Sequence, residues 1–155
     1  MKLSTRGRYG TRLMLDLAQH YTESPIPLAE IARRQGLSDK YLEQLIILLR
    51  GAGLIRSMRG RRGGYILARK PQNIRVSEIV EVLEGRLAVV DCVEDPGLCD
   101  RSADCLTRTI WVEMTDLLKG YLSSITLQDL VASGVSFKQS PVKLCIGERD
   151  GKRGS

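Results

Sequence analysis

Between Leu28 and Ala68 the hydrophobic pattern changes its period twice around glycines, and this limits the possible folds more than any other stretch of the chain. Leu28, Ile31 and Ala32 share one helical face over residues 28–35, and Gly36 follows as a residue that accepts the left-handed backbone ending a helix. Ser38 is then placed to cap a further helix, with Leu42, Leu45, Ile46 and Leu49 at core-facing steps and Gly53 beyond its end. Helix, tight glycine turn and helix form the helix-turn-helix pattern. Leu54–Met58 and Tyr65–Ala68 next read as two short strands around Arg59-Gly60-Arg61-Arg62-Gly63-Gly64, a tip too glycine-rich for anything but a turn. A basic hairpin after a helix-turn-helix is a wing. Before it, Ser4 or Thr5 would cap a first helix with Tyr9, Leu13, Leu17, Ala18 and Tyr21 on one face, ending near Tyr21.

Charge points the same way. Residues 1–75 carry fifteen Lys or Arg against five Asp or Glu, whereas residues 76–155 carry nine against thirteen. The excess in the first half is the footprint of polyanion binding, since each neutralised phosphate releases condensed counterions. On the third helix Ser38, Lys40, Tyr41, Glu43 and Gln44 lie off the apolar face near its N-terminal end, where base edges would be met. Gln44 suits adenine, Glu43 suits a cytosine amino group, and Ser38, Lys40 and Tyr41 suit phosphates or base edges. Arg59, Arg61 and Arg62 give the wing guanidinium groups for phosphates or a narrow minor groove.

The acidic second half has another task. Ser77 would cap a short helix bearing Ile79, Val80 and Leu83, closed by Gly85, which completes a basic domain over residues 1–85. Residues 86–105 form a linker and a loop with Cys92, Cys99 and Cys105. From about Asp104 a long helix carries Leu106, Ile110, Met114, Leu117 and Tyr121, widened by Trp111, Leu118 and Leu122, and with a short C-terminal helix it makes a dimerisation segment over residues 104–132. So broad a stripe calls for a partner, and a second copy of the chain is the simplest. Thr126 and Asp129 form a T-x-x-D capping box for a last short helix over residues 127–131. Residues 133–155 hold few apolar side chains and are expected to be flexible, with Cys145 among them.

No stretch is apolar enough to cross a membrane, and Met1–Tyr9 resembles no secretory leader, so a cytoplasmic protein is expected. Thiols stay reduced there, which turns the cysteine cluster from disulfides towards metal or redox chemistry. The spacing C-x6-C-x5-C lacks the C-x2-C knuckles of structural zinc sites. Widely spaced thiolates suit an iron-sulfur cluster, while a thiol redox switch and zinc remain alternatives. An enzyme with a cysteine nucleophile is disfavoured, because His20 is the only histidine and no glycine-rich nucleotide loop follows a strand.

These motifs together resemble the IscR-type iron-sulfur regulators, dimeric bacterial winged-helix repressors whose relatives include nitric oxide sensors and cysteine-metabolism regulators. The resemblance rests on LSTRGRY at residues 3–9, QGLS at 35–38, YLEQL at 41–45 and Arg59-Gly60 with Gly63-Gly64-Tyr65. It continues through Cys92, Cys99, CLT at 105–107, Trp111 and ITL at 125–127. It implies a mainly α fold with a small β-hairpin wing, a winged helix-turn-helix DNA-binding domain and a long dimerisation helix. It also implies a homodimer on double-stranded operator DNA, with contacts from Ser38, Tyr41, Glu43, Gln44 and Arg59, and a [2Fe-2S] cluster on Cys92, Cys99 and Cys105. Repression of iron-sulfur assembly genes is the implied role, and a cluster-free regulator answering thiol redox state or nitric oxide is the alternative. The chain departs from the pattern at Arg108, where the family has a histidine ligand, so the fourth ligand is unknown; His20, Asp104, Cys145 or an exogenous thiol are candidates.

Overall fold

In the computed structural model the described residues are 2–22 and 24–133; Cys145 and the rest of the expected tail beyond residue 133 lie outside them. The chain runs α1 (Thr5–Gln19), α2 (Leu28–Gln35), α3 (Asp39–Gly51), β1 (Ile55–Met58), β2 (Gly64–Leu67), α4 (Val76–Glu84), α5 (Asp91–Glu94), α6 (Leu106–Ser124) and α7 (Leu127–Ala132). This is the expected mainly helical fold with one antiparallel hairpin.

Helix α1 is started by Ser4, whose Oγ accepts the Gly7 amide at 3.3 Å, and is clamped by Glu84 at the end of α4. Glu84 Oε1 accepts the Ser4 amide at 3.1 Å, the Ser4 hydroxyl at 2.5 Å and the Gly7 amide at 2.9 Å. Gly7 is required by this approach, since a Cβ there would lie 2.1 Å from that oxygen. The helix stops at Gln19, short of the expected Tyr21, which is an exposed side chain. Leu13, Met14 and Leu17 of α1 meet Ile31 of α2 and Leu42, Leu45, Ile46 and Leu49 of α3 in one fully buried core. Each such side chain contributes about 2 kcal/mol relative to an exposed one, so this core dominates the stability of the α1–α3 packing.

The helix-turn-helix is built by local rules. Gly36 takes φ 64° and ends α2, and Ser38 Oγ accepts the Tyr41 amide at 3.2 Å to begin α3. A buried ion pair fixes α2 on α1. Asp16 accepts Arg34 Nε at 3.0 Å, Arg34 Nη2 at 2.6 Å and Gln35 Nε2 at 2.7 Å.

The hairpin pairs Ile55 with Leu67 through Met58 with Gly64, and the Ala68 amide extends it to the Leu54 carbonyl at 2.9 Å. Gly64, expected in the turn, is the first residue of β2. Its place is fixed by Ile26, which bridges to Tyr65 in both directions at 3.0 and 2.9 Å. A Cβ on Gly64 would lie 2.2 Å from the Ile26 carbonyl oxygen. The wing is thus bonded to the segment entering α2, and its orientation to the helix-turn-helix is set by backbone.

Ser77 does not cap α4. The helix starts two residues earlier, with Arg75 as N-cap and its amide donating to Glu78 Oε1 at 2.9 Å. The cause is distant in sequence: the Val76 amide donates to the Ile125 carbonyl and the Leu127 amide to the Ile74 carbonyl, both at 2.9 Å. Arg75 also donates to the Ser123 carbonyl. The end of α6 is thereby stapled to the start of α4. Helix α7 follows on the expected Thr126–Asp129 capping box and places Leu127, fully buried, in the main core against α1.

Candidate nucleic-acid interface and cysteine loop

The α3 helix presents Lys40, Glu43 and Gln44 to solvent, together with Ser38 ahead of it, while its apolar face is consumed by the core. Tyr41 differs from the others, because it is half-buried and meets Tyr9 of α1 edge to face, with ring centroids 6.0 Å apart. Arg8 and Arg12 sit over the Tyr9 ring at 5.9 and 5.3 Å, and Arg12 also donates to the side chain and carbonyl of Gln35, both at 3.1 Å. These two arginines extend the basic surface beside α3, and the sequence reading missed them. Their signal was present: basic residues at i and i+4 around an aromatic on the first helix. Ile47 on α3 is also open to solvent, at 59%.

Arg59, Arg61 and Arg62 lie exposed at the wing tip, and among the described residues none is paired with a carboxylate. Unpaired guanidinium groups on a turn retain their full charge for an anionic partner. The wing is supported from below by the Gly63 amide donating to the Gly60 carbonyl at 3.0 Å, with Gly60 at φ 121°. Asp16 and Arg34 join α1 to α2 behind this surface, through Gln35, which bonds both Asp16 and Arg12. Burial pushes the Asp16 carboxyl up, but hydrogen bonds from Arg34 and Gln35 and the Arg34 charge outweigh it and leave the group below the usual carboxylate range.

The cysteine loop has more structure than its composition predicts. Cys92 lies in the one-turn helix α5, Cys99 follows the short 3-10 turn Pro96–Leu98, and Cys105 is the N-cap residue of α6, whose first residue, Leu106, lies two positions beyond the expected start near Asp104. All three are free thiols; Cys99 is exposed and the others are half-buried. The hydrogen bond with the Thr107 hydroxyl, at 3.2 Å, holds the Cys105 thiol below its ordinary pKa, aided by the Arg108 amide and charge. Among the described residues no three His, Cys, Asp or Glu side chains come together as a metal-binding group. His20 lies at the other end of α1 from the Glu84 clamp, with Nδ1 2.9 Å from the Asp16 carbonyl and neighbours Tyr21, Ile26 and Tyr65 beside the wing.

Arg108, at the position the resemblance gives to a ligand, does something else. Its Nε donates to the Cys92 carbonyl at 3.1 Å and its Nη2 to the Val93 carbonyl at 3.4 Å. Glu94 adds contacts to Lys119 at 3.2 Å and Arg86 at 3.3 Å. Beyond the loop, α6 leaves Leu106, Ile110, Met114, Leu117 and Tyr121 exposed in one stripe, and only Thr115 is buried, accepting the Val89 amide at 3.2 Å. No helix among the described residues is long and apolar enough to cross a membrane.

A helix-turn-helix with a basic wing bonded to it, joined to a long arm, defines a winged-helix transcriptional regulator. The chain belongs to the Rrf2 family, whose model, described as an iron-dependent transcriptional regulator, matches residues 3–133. It is 50% identical over 131 residues to protein rrf2 of Nitratidesulfovibrio vulgaris, covering 84% of this chain and 87% of that protein. It is similar to the solved structure of IscR from T. potens, with TM-score 0.70 and 45% identity over 86% of this chain and 88% of that one. It is similar also to CymR, the global cysteine regulator of B. subtilis, with TM-score 0.72 and 41% identity over 85% of this chain and 97% of that one. Family and relatives are transcriptional regulators, not enzymes.

Proposed function

We propose that the chain is a cytoplasmic homodimeric repressor that reads double-stranded operator DNA and reports iron-sulfur status through a [2Fe-2S] cluster on Cys92, Cys99 and Cys105. The observation that carries this reading is the path of α6. It begins at Cys105 and its far end is stapled by main-chain bonds to Ile74–Val76, the entry to α4 in the reading head. A change at the cysteines therefore has a rigid element through which to bias the head. The proposal divides the chain into a DNA-binding domain over 1–85, a linker and cysteine loop over 86–105 and a dimerisation arm over 104–132, whose last helix packs against α1 of the domain.

The donor chemistry fits such a group: three free thiols, one of them held towards its thiolate form, which is the ligating form. When bound, the cluster would tie the three cysteines together and make that tie sensitive to oxidants, nitric oxide and iron supply. The protein's part is to present the thiols on α5, the Pro96–Leu98 turn and the start of α6, with the fourth ligand unassigned. On the DNA side, Ser38, Lys40, Tyr41, Glu43 and Gln44 would enter the major groove, while Arg59, Arg61 and Arg62 contact phosphates or the minor groove. The second copy would cover the α6 stripe and the apolar recess of about 690 Å³ beside it, lined by Leu3, Leu87, Leu118 and Leu122 among others.

A second reading has its own support: among the described residues no three candidate ligands come together, and a cysteine regulator is among the similar structures. It is a cluster-free thiol-responsive regulator of the same fold. Anaerobic purification of wild type and Cys92→Ala, with visible absorption and iron and sulfide analysis, separates the two. Brown protein with matched iron and sulfide, lost in the variant, is expected; colourless protein after reconstitution would leave the thiol switch.

A further inference from the structure

We propose that Arg108 is the positioning residue of the cysteine loop: it fixes the main chain of Cys92 to the helix that begins at Cys105, and so pre-places two of the three thiols. This deepens the cluster reading and rests on it for its purpose, though not for its geometry.

A helix of four residues cannot hold itself, because one turn fixes several dihedrals for a single hydrogen bond. Helix α5 closes the Asp95 amide onto the Asp91 carbonyl at 3.0 Å, with the Val93 amide on the Val90 carbonyl at 3.2 Å before it, and it has no second turn. The carbonyls that come next, those of Cys92 and Val93, would be orphans of the helix end. The Arg108 guanidinium donates to both, at 3.1 and 3.4 Å, one side chain spanning two adjacent acceptors. That task needs the planar fork of arginine; an ammonium is a single point and an imidazole cannot reach two carbonyls with parallel donors.

Position on α6 completes the argument. Arg108 is three residues beyond Cys105, and its amide donates to the Cys105 carbonyl at 3.1 Å, so its stem is rooted in the turn that Cys105 caps. Its head holds the backbone that carries Cys92. The other ties of α5 run through the Glu94 side chain to Lys119 and Arg86 and do not touch the cysteines. Cys99 sits past the Pro96–Leu98 turn, exposed and outside this clamp. Loop closure on a cluster then costs the ordering of one thiol segment instead of two. Arg108 replaces a ligand by outer-sphere support, the role that groups behind metal ligands usually play.

The test uses the full chain without cluster first. Amide hydrogen exchange is compared in wild type, Arg108→Ala and Arg108→Lys. Segment 91–99 is expected to exchange about tenfold faster in both variants, as loss of a net hydrogen bond implies, with α1 to α4 unchanged as proof of folding. After anaerobic reconstitution, the half-life of visible absorption under an iron chelator should shorten about tenfold in both variants. Unchanged exchange in segment 91–99 overturns the proposal. Faster exchange with an unaltered half-life overturns the part that concerns the cluster. Faster exchange in a protein that never becomes coloured upholds the clamp and overturns the cluster reading alone.

Discussion

The reading head and the cysteine arm are held together by opposite means. In the head, polar groups are locked: Asp16 is 2% exposed and accepts hydrogen bonds from Arg34 and Gln35, and half-buried Glu84 accepts from the first turn of α1. In the arm, α5 has no buried residue and α6 has only Thr115, while five large apolar side chains of α6 face outward. The head is finished within one chain. The arm has polar ties that open at modest cost and an apolar stripe awaiting cover. On the proposed reading a regulator gains from this division, because a part that recognises DNA must be rigid and a part that senses must have two arrangements of similar energy.

The largest effect is expected from attacking the head's sealed polar group. Asp16→Ala leaves Arg34 without its buried partner and should cost on the order of 3–5 kcal/mol, read as a fall in the urea midpoint. A loss under about 1 kcal/mol would mean the head is no better locked than the arm. The same pair sets an acid limit. The Asp16 carboxyl titrates lower in the folded chain than its unfolded value near about 3.9, so its contribution is present above that pH and is lost as pH falls through the folded value. Asp16→Asn should lack that acid-dependent phase, and an unchanged profile of stability below about pH 4 would contradict it.

The arm should respond to a different insult. Ile110→Glu with Leu117→Glu places two charges on the α6 stripe and should raise the dissociation constant of the proposed dimer at least about 100-fold, near 3 kcal/mol. Sedimentation measures it. Because both side chains are exposed in the single chain, the urea midpoint of the isolated monomer should barely move. A dimer that persists would place the second copy on another face.

Smaller, and confined to the joint between wing and head, is Gly64→Ala. The added methyl meets the Ile26 carbonyl at 2.2 Å, so either the bridge to Tyr65 or the hairpin must shift, at about 2 kcal/mol. Both the melting temperature and operator affinity should fall together. If affinity holds while stability drops, the wing's orientation does not matter for binding.

Which of these features the sequence displayed follows from how local each is. Gly36, the Ser38 cap and the Thr126–Asp129 box need only their own neighbours and stand where the pattern placed them, while the Arg59–Gly64 turn is one residue shorter because Gly64 joins β2. Ser77 was misread as a cap because the start of α4 is decided by bonds to residues 125–127, fifty positions away along the chain. The Asp16–Arg34 lock left one trace, a carboxylate set among Leu13, Met14 and Leu17, which demands a partner without naming it. Arg108 was legible as a non-ligand, yet its use depends on two carbonyls freed by a helical turn that four residues with one valine do not advertise. The three cysteines were legible as a group, but composition does not encode how the loop places them on α5, after the Pro96–Leu98 turn and at the start of α6.

The least effect is expected at the wing tip, and it tests the comparison from the side of function. Arg59 is exposed and among the described residues lacks a carboxylate partner, so Arg59→Ala should leave the urea midpoint within about 0.5 kcal/mol of wild type. Operator binding should weaken by about 1 kcal/mol, and the slope of log affinity against log salt should fall by about one contact. If the contact is to a phosphate, the loss is equal on operator and random duplex. A loss confined to the operator would instead put Arg59 in a narrow minor groove, where shape gives it specificity. No loss on either duplex would mean that the wing bonded to Ile26 serves the fold alone, and that DNA is read by α3 and the arginines beside Tyr9.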